Sequence, residues 1–213
     1  MNRETLVQGI LTLLADVSDD QVPAVLAEVK SCRGTSVPSE QSKPSVQVVK
    51  KSCLKFVGTS TVPALTERFL VSDRFKKNKD PSAGPLISGV GGVFLSRFGD
   101  MVVESHTGST LNYHVLTRRA SDTDIIDVLG GEDKVETLLA EVWSQMTQQG
   151  RGQSGSLLND GKANIFYVRD SDRVLRALGV VWFDYGWDFR AREVGLSFWS
   201  EYGRVFSRNS MQP

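Results

Sequence analysis

The sequence predicts an α+β protein: an N-terminal helical hairpin, a flexible linker, then a mainly antiparallel β body with one long amphipathic helix and a C-terminal β-meander. Three observations carry this expectation. Apolar residues recur at helical spacing near the start and again between 132 and 149, residues 34–47 have the composition of a linker, and strand-length runs of branched and aromatic residues fill most of the remainder.

Leu6, Ile10, Leu13 and Leu14 fall at i, i+4, i+7 and i+8, which gathers them on one helical face. Ser18 with Gln21 reads as a capping box; Val22, Val25, Leu26 and Val29 repeat the period, and Gly34 ends it. The hairpin therefore occupies 1–33. Two helices this short cannot bury their apolar faces on each other alone, so they need something to dock on. From Gly34 to Gln47, ten of fourteen residues are Gly, Ser, Thr, Pro or Gln, which sets the linker.

An α+β domain is expected over 48–207, followed by a tail at 208–213. Its first part, 48–118, reads as β-rich. Val48–Val57 and Ala64–Ser72 are strand-like, with Thr59, Ser60 and Pro63 breaking the run between them. Val93–Phe98 and Met101–Ser105 read as a hairpin turning at Gly99-Asp100, and Thr110–Thr117 as a third strand. The middle part, 121–149, reads as helical. Ser121 with Asp124 is a capping signature ahead of Ile125, Ile126, Val128 and Leu129. Val135, Leu138, Leu139, Val142 and Met146 then define one long helix whose first turn carries Glu132, Asp133 and Glu136. The last part, 163–207, reads as an antiparallel meander of Asn164–Arg169, Arg173–Phe183, Trp187–Val194 and Arg204–Ser207. In its third strand Trp187, Phe189 and Ala191 alternate with Asp188, Arg190 and Arg192, so one face is buried and one is wet.

The exclusions are firmer than the assignments. No run approaches the roughly 20 apolar residues of a membrane span, and the N-terminal acids are unlike a secretory signal, so a cytoplasmic protein is expected. Cys32 and Cys53 are too few for a disulfide framework. Gly150-Arg151-Gly152-Gln153-Ser154-Gly155 has the letters of a dinucleotide fingerprint but follows a helix and precedes a strand, the reverse of what that site requires. The acids from Asp122 to Asp133 fail the spacing of a calcium loop, and His106 and His114 stand without metal-ligand spacing. No cofactor and no metal are expected.

Net charge is zero, yet it is segregated: residues 31–80 carry ten basic and four acidic side chains, and residues 121–150 carry one basic and seven acidic. Lys50, Lys51, Lys55, Arg74, Lys76, Lys77 and Lys79, interleaved with Phe69 and Phe75, make a candidate nucleic-acid surface. Eleven of the eighteen aromatics lie from Phe166 onward, in company with arginines and almost no lysine. That composition marks interface centres, and it selects Trp187, Arg190, Arg192, Trp199 and Arg204 as candidate interaction residues.

The block Ala163-Asn164-Ile165-Phe166-Tyr167-Val168-Arg169-Asp170, with Val174-Leu175-Arg176-Ala177, Gly186-Trp187 and Arg204-Val205-Phe206-Ser207-Arg208-Asn209, resembles the C-terminal part of a group of small uncharacterised bacterial proteins. The resemblance covers residues 130–210 and implies no activity. The functional expectation is therefore a non-enzymatic module that binds a protein partner or another copy of itself. Nucleic-acid binding through the basic segment 50–79 is the alternative. A hydrolase with a site assembled in space around His106 or His114 comes third.

Overall fold

The computed structural model describes residues 52–196 and 198–208, which belong to one compact unit. The hairpin expected at 1–33, the linker at 34–47, Lys50, Lys51 and the tail past Arg208 lie outside the described residues.

In chain order the elements are β1 (Leu54–Val62), β2 (Phe69–Leu70), α1 (Val71–Arg74), β3 (Ile87–Val90), α2 (Gly92–Phe98), β4 (Val102–Val103), β5 (Ser109–Leu116), β6 (Ala120–Ser121), α3 (Asp122–Leu129), α4 (Glu132–Val135), α5 (Leu139–Gln148), β7 (Asn164–Arg169), β8 (Leu175–Phe183), β9 (Gly186–Glu193), β10 (Phe198–Trp199) and β11 (Arg204–Arg208). Seven strands form one sheet in the order β1-β5-β11-β7-β8-β9-β3. Two small ladders, β10-β6 and β2-β4, stand beside it.

This corrects the expected mainly antiparallel body, because the large sheet is mixed. β7, β8 and β9 form the antiparallel meander the sequence implies, but β11 returns to the other side of β7 and pairs with it in parallel, while β3 lies parallel to β9. Alternation within a strand fixes which face a residue occupies but carries no information about which strand lies next to it. β1 also runs on through Thr59 and Ser60 to Val62, paired with β5 across a bulge between Phe56 and Gly58. Pro63 closes it, as a residue without an amide donor should.

Both faces of the sheet are covered. On the first, Leu111, Phe166, Leu178, Val180, Trp187, Phe189 and Phe206 pack with Phe75, Phe94, Phe98, Val142 and Met146. On the second, Leu116, Ile165, Tyr167, Ala177 and Val205 pack with Ile125, Ile126, Val135 and Trp199. Strand β7 is therefore apolar on both sides.

Two further corrections concern helices. The hairpin expected at Val93–Ser105 is the helix α2 followed by the two-residue strand β4. Phe94 and Phe98 are four apart, both fully buried and stacked at 5.1 Å, and Phe94 also meets Phe75 and Phe189. A six-residue apolar run does not by itself separate a strand from a helix, and here the two buried rings require the helical period.

The single long helix expected over 132–149 is two helices, α4 of four residues and α5 of ten. Between them Glu136 and Leu138 are extended, and the link bridges to β7: the Thr137 amide and hydroxyl both donate to the Tyr167 carbonyl, at 2.7 and 3.1 Å. Glu141 then restarts the helix by accepting the Leu138 amide at 2.8 Å. The apolar spacing runs unbroken across this interruption, which is why periodicity reads it as one element. The capping signature at Ser121 holds: its hydroxyl accepts the Asp124 amide at 3.1 Å, and Gly130 ends α3 in the left-handed region.

The helical reading of α2 has a direct test. Phe94→Ala should destabilise the protein by about 3–5 kcal/mol in urea unfolding, whereas Val93→Ala, one residue away and exposed, should stay within about 0.5 kcal/mol.

Candidate functional site

The second face of the sheet carries a groove where β8 and β9 emerge from the packed core. Gly179, Val181 and Phe183 of β8, Asp188, Arg190 and Arg192 of β9, Ala163 and Trp199 enclose a cavity of about 290 Å³. A second cavity of about 300 Å³ shares Ala163, Val181, Arg192 and Trp199 with it and continues the groove past Lys162 and Phe198. The wet face of β9 supplies the cations, as strand alternation requires. Arg190 reaches Asp188 at 2.9 Å and is otherwise exposed. The Arg192 guanidinium lies 3.8 Å from the centre of the Trp199 ring, and Arg119 lies 4.5 Å from that of Phe198. Neither Arg192 nor Arg119 has a carboxylate partner among the described residues.

The groove's floor is held by a buried carboxylate. Asp122, the first residue of α3, is fully buried; its Oδ1 accepts the Trp199 indole N–H at 2.6 Å and the Tyr167 hydroxyl at 2.9 Å, and its Oδ2 accepts the Gly195 amide at 3.0 Å. A buried carboxylate needs such donors to offset its desolvation, and here three different parts of the chain provide them. Burial, and then the charge of Asp122, push the Tyr167 phenol far above its ordinary range, so it remains a neutral donor. Gly179 makes the space: a Cβ there would stand 3.1 Å from the Trp199 ring. The far edge of the indole therefore rests on a strand position with no side chain in its way.

The groove's rim is aromatic and exposed. Phe183 and Phe198 are both more than half exposed, and Tyr185, in the turn beyond Phe183, is 87% exposed. Asp184 and Tyr185 both have positive φ, 49° and 68°, in a two-residue turn closed by the Phe183–Gly186 pair. Asn-Gly would meet that geometry at less cost, and a tyrosine in the left-handed region is a strained choice. The turn thus places an aromatic ring at the tip of the hairpin.

Of the five candidate interaction residues, Arg190, Arg192 and Trp199 come together here. Trp187 does not: it is fully buried on the opposite face, edge-on to Trp182 at 5.1 Å and donating to the Gln149 carbonyl. Arg204 also faces the other way, 4.9 Å over the Tyr113 ring, with its guanidinium on the Ser156 and Gly155 carbonyls. Asp122 was read from sequence only as a helix-start acid. Its local sequence, Ser121-Asp122-Thr123-Asp124, is polar throughout and carries no sign of burial.

Of the basic set, Arg74, Lys76 and Lys77 converge on a separate cleft, and Lys79 is exposed on the same loop. Lys55 stands near the start of β1, paired to Val115, on the edge of the sheet opposite to β3, to which the cleft's loop is tied through Asn78. The glycine loop 150–155 packs instead of cradling: at Gly152, with φ of 67°, a Cβ would collide with the Trp182 ring. His106 accepts the Gly108 amide at Nδ1, and His114 stacks edge-on with Phe56, its pKa lowered by burial. Neither histidine meets a carboxylate or hydroxyl in the described hydrogen-bond network. Among the described residues no group of three potential metal ligands gathers, and no helix is long and apolar enough to cross a membrane.

Comparison with known protein families, with curated proteins and with solved structures gives no match.

The Asp122 hub should dominate the stability of the groove. Asp122→Ala leaves the Tyr167 hydroxyl and the Trp199 N–H buried without an acceptor and should cost about 3–5 kcal/mol in urea unfolding, while Arg192→Ala should cost less than about 1 kcal/mol.

Proposed function

We propose that this chain is a non-enzymatic protein-binding module whose groove, between the wet face of β8–β9 and Trp199, receives an acidic, apolar segment of a partner protein. The observation that carries the reading is the pair of stacked guanidiniums. A ring covers the face of Arg192 and another that of Arg119, while the N–H edges meet no carboxylate among the described residues. A guanidinium held this way loses little side-chain freedom when it meets a carboxylate, and its planar donor fork suits one. The exposed Phe183 and Phe198 supply apolar surface at the rim. Trp199 is a pre-set wall, since Asp122 holds its indole before any partner arrives.

The test uses the full chain and a short labelled peptide alternating Glu with Leu and Phe, read by fluorescence polarisation. Saturable binding that falls about tenfold with Arg192→Ala, and again when Gln replaces Glu in the peptide, supports the reading. No binding, or equal binding by the Gln peptide, overturns it. Light scattering on the same samples identifies a second copy as the partner if self-association is lost in Arg192→Glu.

A further inference from the structure

We infer that the cleft between the loop 76–85 and helix α5 is a binding site for a compact oligophosphate anion, such as the phosphate tail of a nucleotide. This site lies on the first face of the sheet and does not rest on the groove reading. The cleft encloses about 430 Å³, within the range of small-molecule sites, and Arg74, Lys76 and Lys77 line it together with Asn78, Gly84 and Trp143.

Its walls are built before a ligand arrives. The Arg74 guanidinium lies over Phe69 at 4.9 Å and over Trp143 at 5.8 Å, which fixes the stem of the first cation. Its one carboxylate partner among the described residues, Glu67, is 3.8 Å away and 80% exposed, so water screens that pair and leaves the guanidinium edge for a stronger acceptor. Asn78 ties the loop to Ile87 through two backbone hydrogen bonds of 3.0 and 2.9 Å, and its side-chain amide spans Asp80 and Pro85. Asp80 in turn accepts the Ser82 amide and hydroxyl, and the two hydrogen bonds hold its carboxyl below the usual range. At Gly84, with φ of 135°, no atom stands within 4 Å of where a Cβ would lie, so the cleft opens there.

The unspent donors identify the ligand. Asn78 and Thr147 already donate to Asp80, Pro85 and Trp143 carbonyls, which leaves Arg74, Lys76 and Lys77 as the groups facing the space. The two lysines have no ion-pair partner among the described residues. The one acid on the cleft's lining is Asp73, which is exposed. Three cations around one cavity match a compact, multiply charged anion. An extended nucleic-acid strand needs cations spaced along a track, and Lys55 lies on β1, the sheet edge opposite to the β3 edge that holds this loop.

The experiment is calorimetric titration of the full chain with tripolyphosphate, with ATP and with a poly-dT oligonucleotide, at low and at physiological salt. Saturable one-to-one binding of tripolyphosphate is expected, weakening with salt and falling at least tenfold in Lys76→Glu/Lys77→Glu, with Lys134→Glu, an exposed site on α4 away from both surfaces, unchanged as the control. ATP tighter than tripolyphosphate assigns the source to a nucleotide; equal affinities assign it to the free polyanion. No saturable binding, or equal binding by the double variant, overturns the inference. So does an oligonucleotide that binds more than tenfold tighter with affinity growing with its length, which describes a strand track. Lys76 and Lys77 are exposed, so the double variant tests the site without touching the core.

Discussion

Tyr167 is held at both ends, and the two halves of the body meet through it. Its carbonyl takes the amide and hydroxyl of Thr137, which bends the chain between α4 and α5; its phenol donates to Asp122, which also holds Trp199 and Gly195. The residue lies on β7, the strand buried on both faces, so every polar group it carries must be satisfied by protein. That requirement sets the position of α5 on one face of the sheet and of β10 on the other. The groove and the cleft each depend on one of these placements: Trp199 is the wall of the first, Trp143 the back of the second.

Helix α5 shows how a ten-residue element serves three neighbours. Leu139, Val142 and Met146 face the core. Trp143 and Thr147, four apart, face the loop 76–85. Glu141, Gln145 and Gln149, also at four-residue steps, are buried among hydroxyls and backbone groups: Ser109 on Glu141, Ser60 and Ser156 on Gln145, and the Leu157 amide on Gln149. A polar stripe this deep is tolerated because each group finds a partner, and it fixes the helix's rotation against β1 and β5 more narrowly than apolar packing alone.

What the sequence makes legible follows from the range of each signal. Strands β7, β8 and β9, the cap at Ser121, and the buried and wet faces of β9 are local patterns, and they read correctly. The same alternation that sets Arg190 and Arg192 on the wet face sets Trp187 on the buried one, so the pattern itself separates Trp187 from its neighbours in the candidate list. Composition had grouped them because composition ignores faces. The helix α2, the break at Thr137 and the parallel pairings of β3 and β11 are decided by contacts between residues far apart in the chain. Phe94 is helical because of Phe75 and Phe189; Thr137 is extended because of Tyr167. Asp122 was hidden for the same reason: its three donors come from β7, from β10 and from Gly195.

The segregated charge of a neutral chain acquires a spatial meaning in this fold. One set of cations, Arg119 and Arg192, is stacked on rings on the second face of the sheet; the other, Arg74, Lys76 and Lys77, surrounds a cleft on the first. Strand β9 contributes to both surroundings. Its Arg190 and Arg192 line the groove, and on the opposite face Phe189, the residue before Arg190, meets Phe75, one residue before Lys76. The two surroundings lie on opposite faces of the sheet, so occupants of them would not compete for space. A tilt of β9 would reach both, since the strand is paired to β8 at eight positions and to β3 at three. The lightly held side is where such a tilt meets least resistance, and it is also the side on which Asn78 ties the cleft's loop to β3.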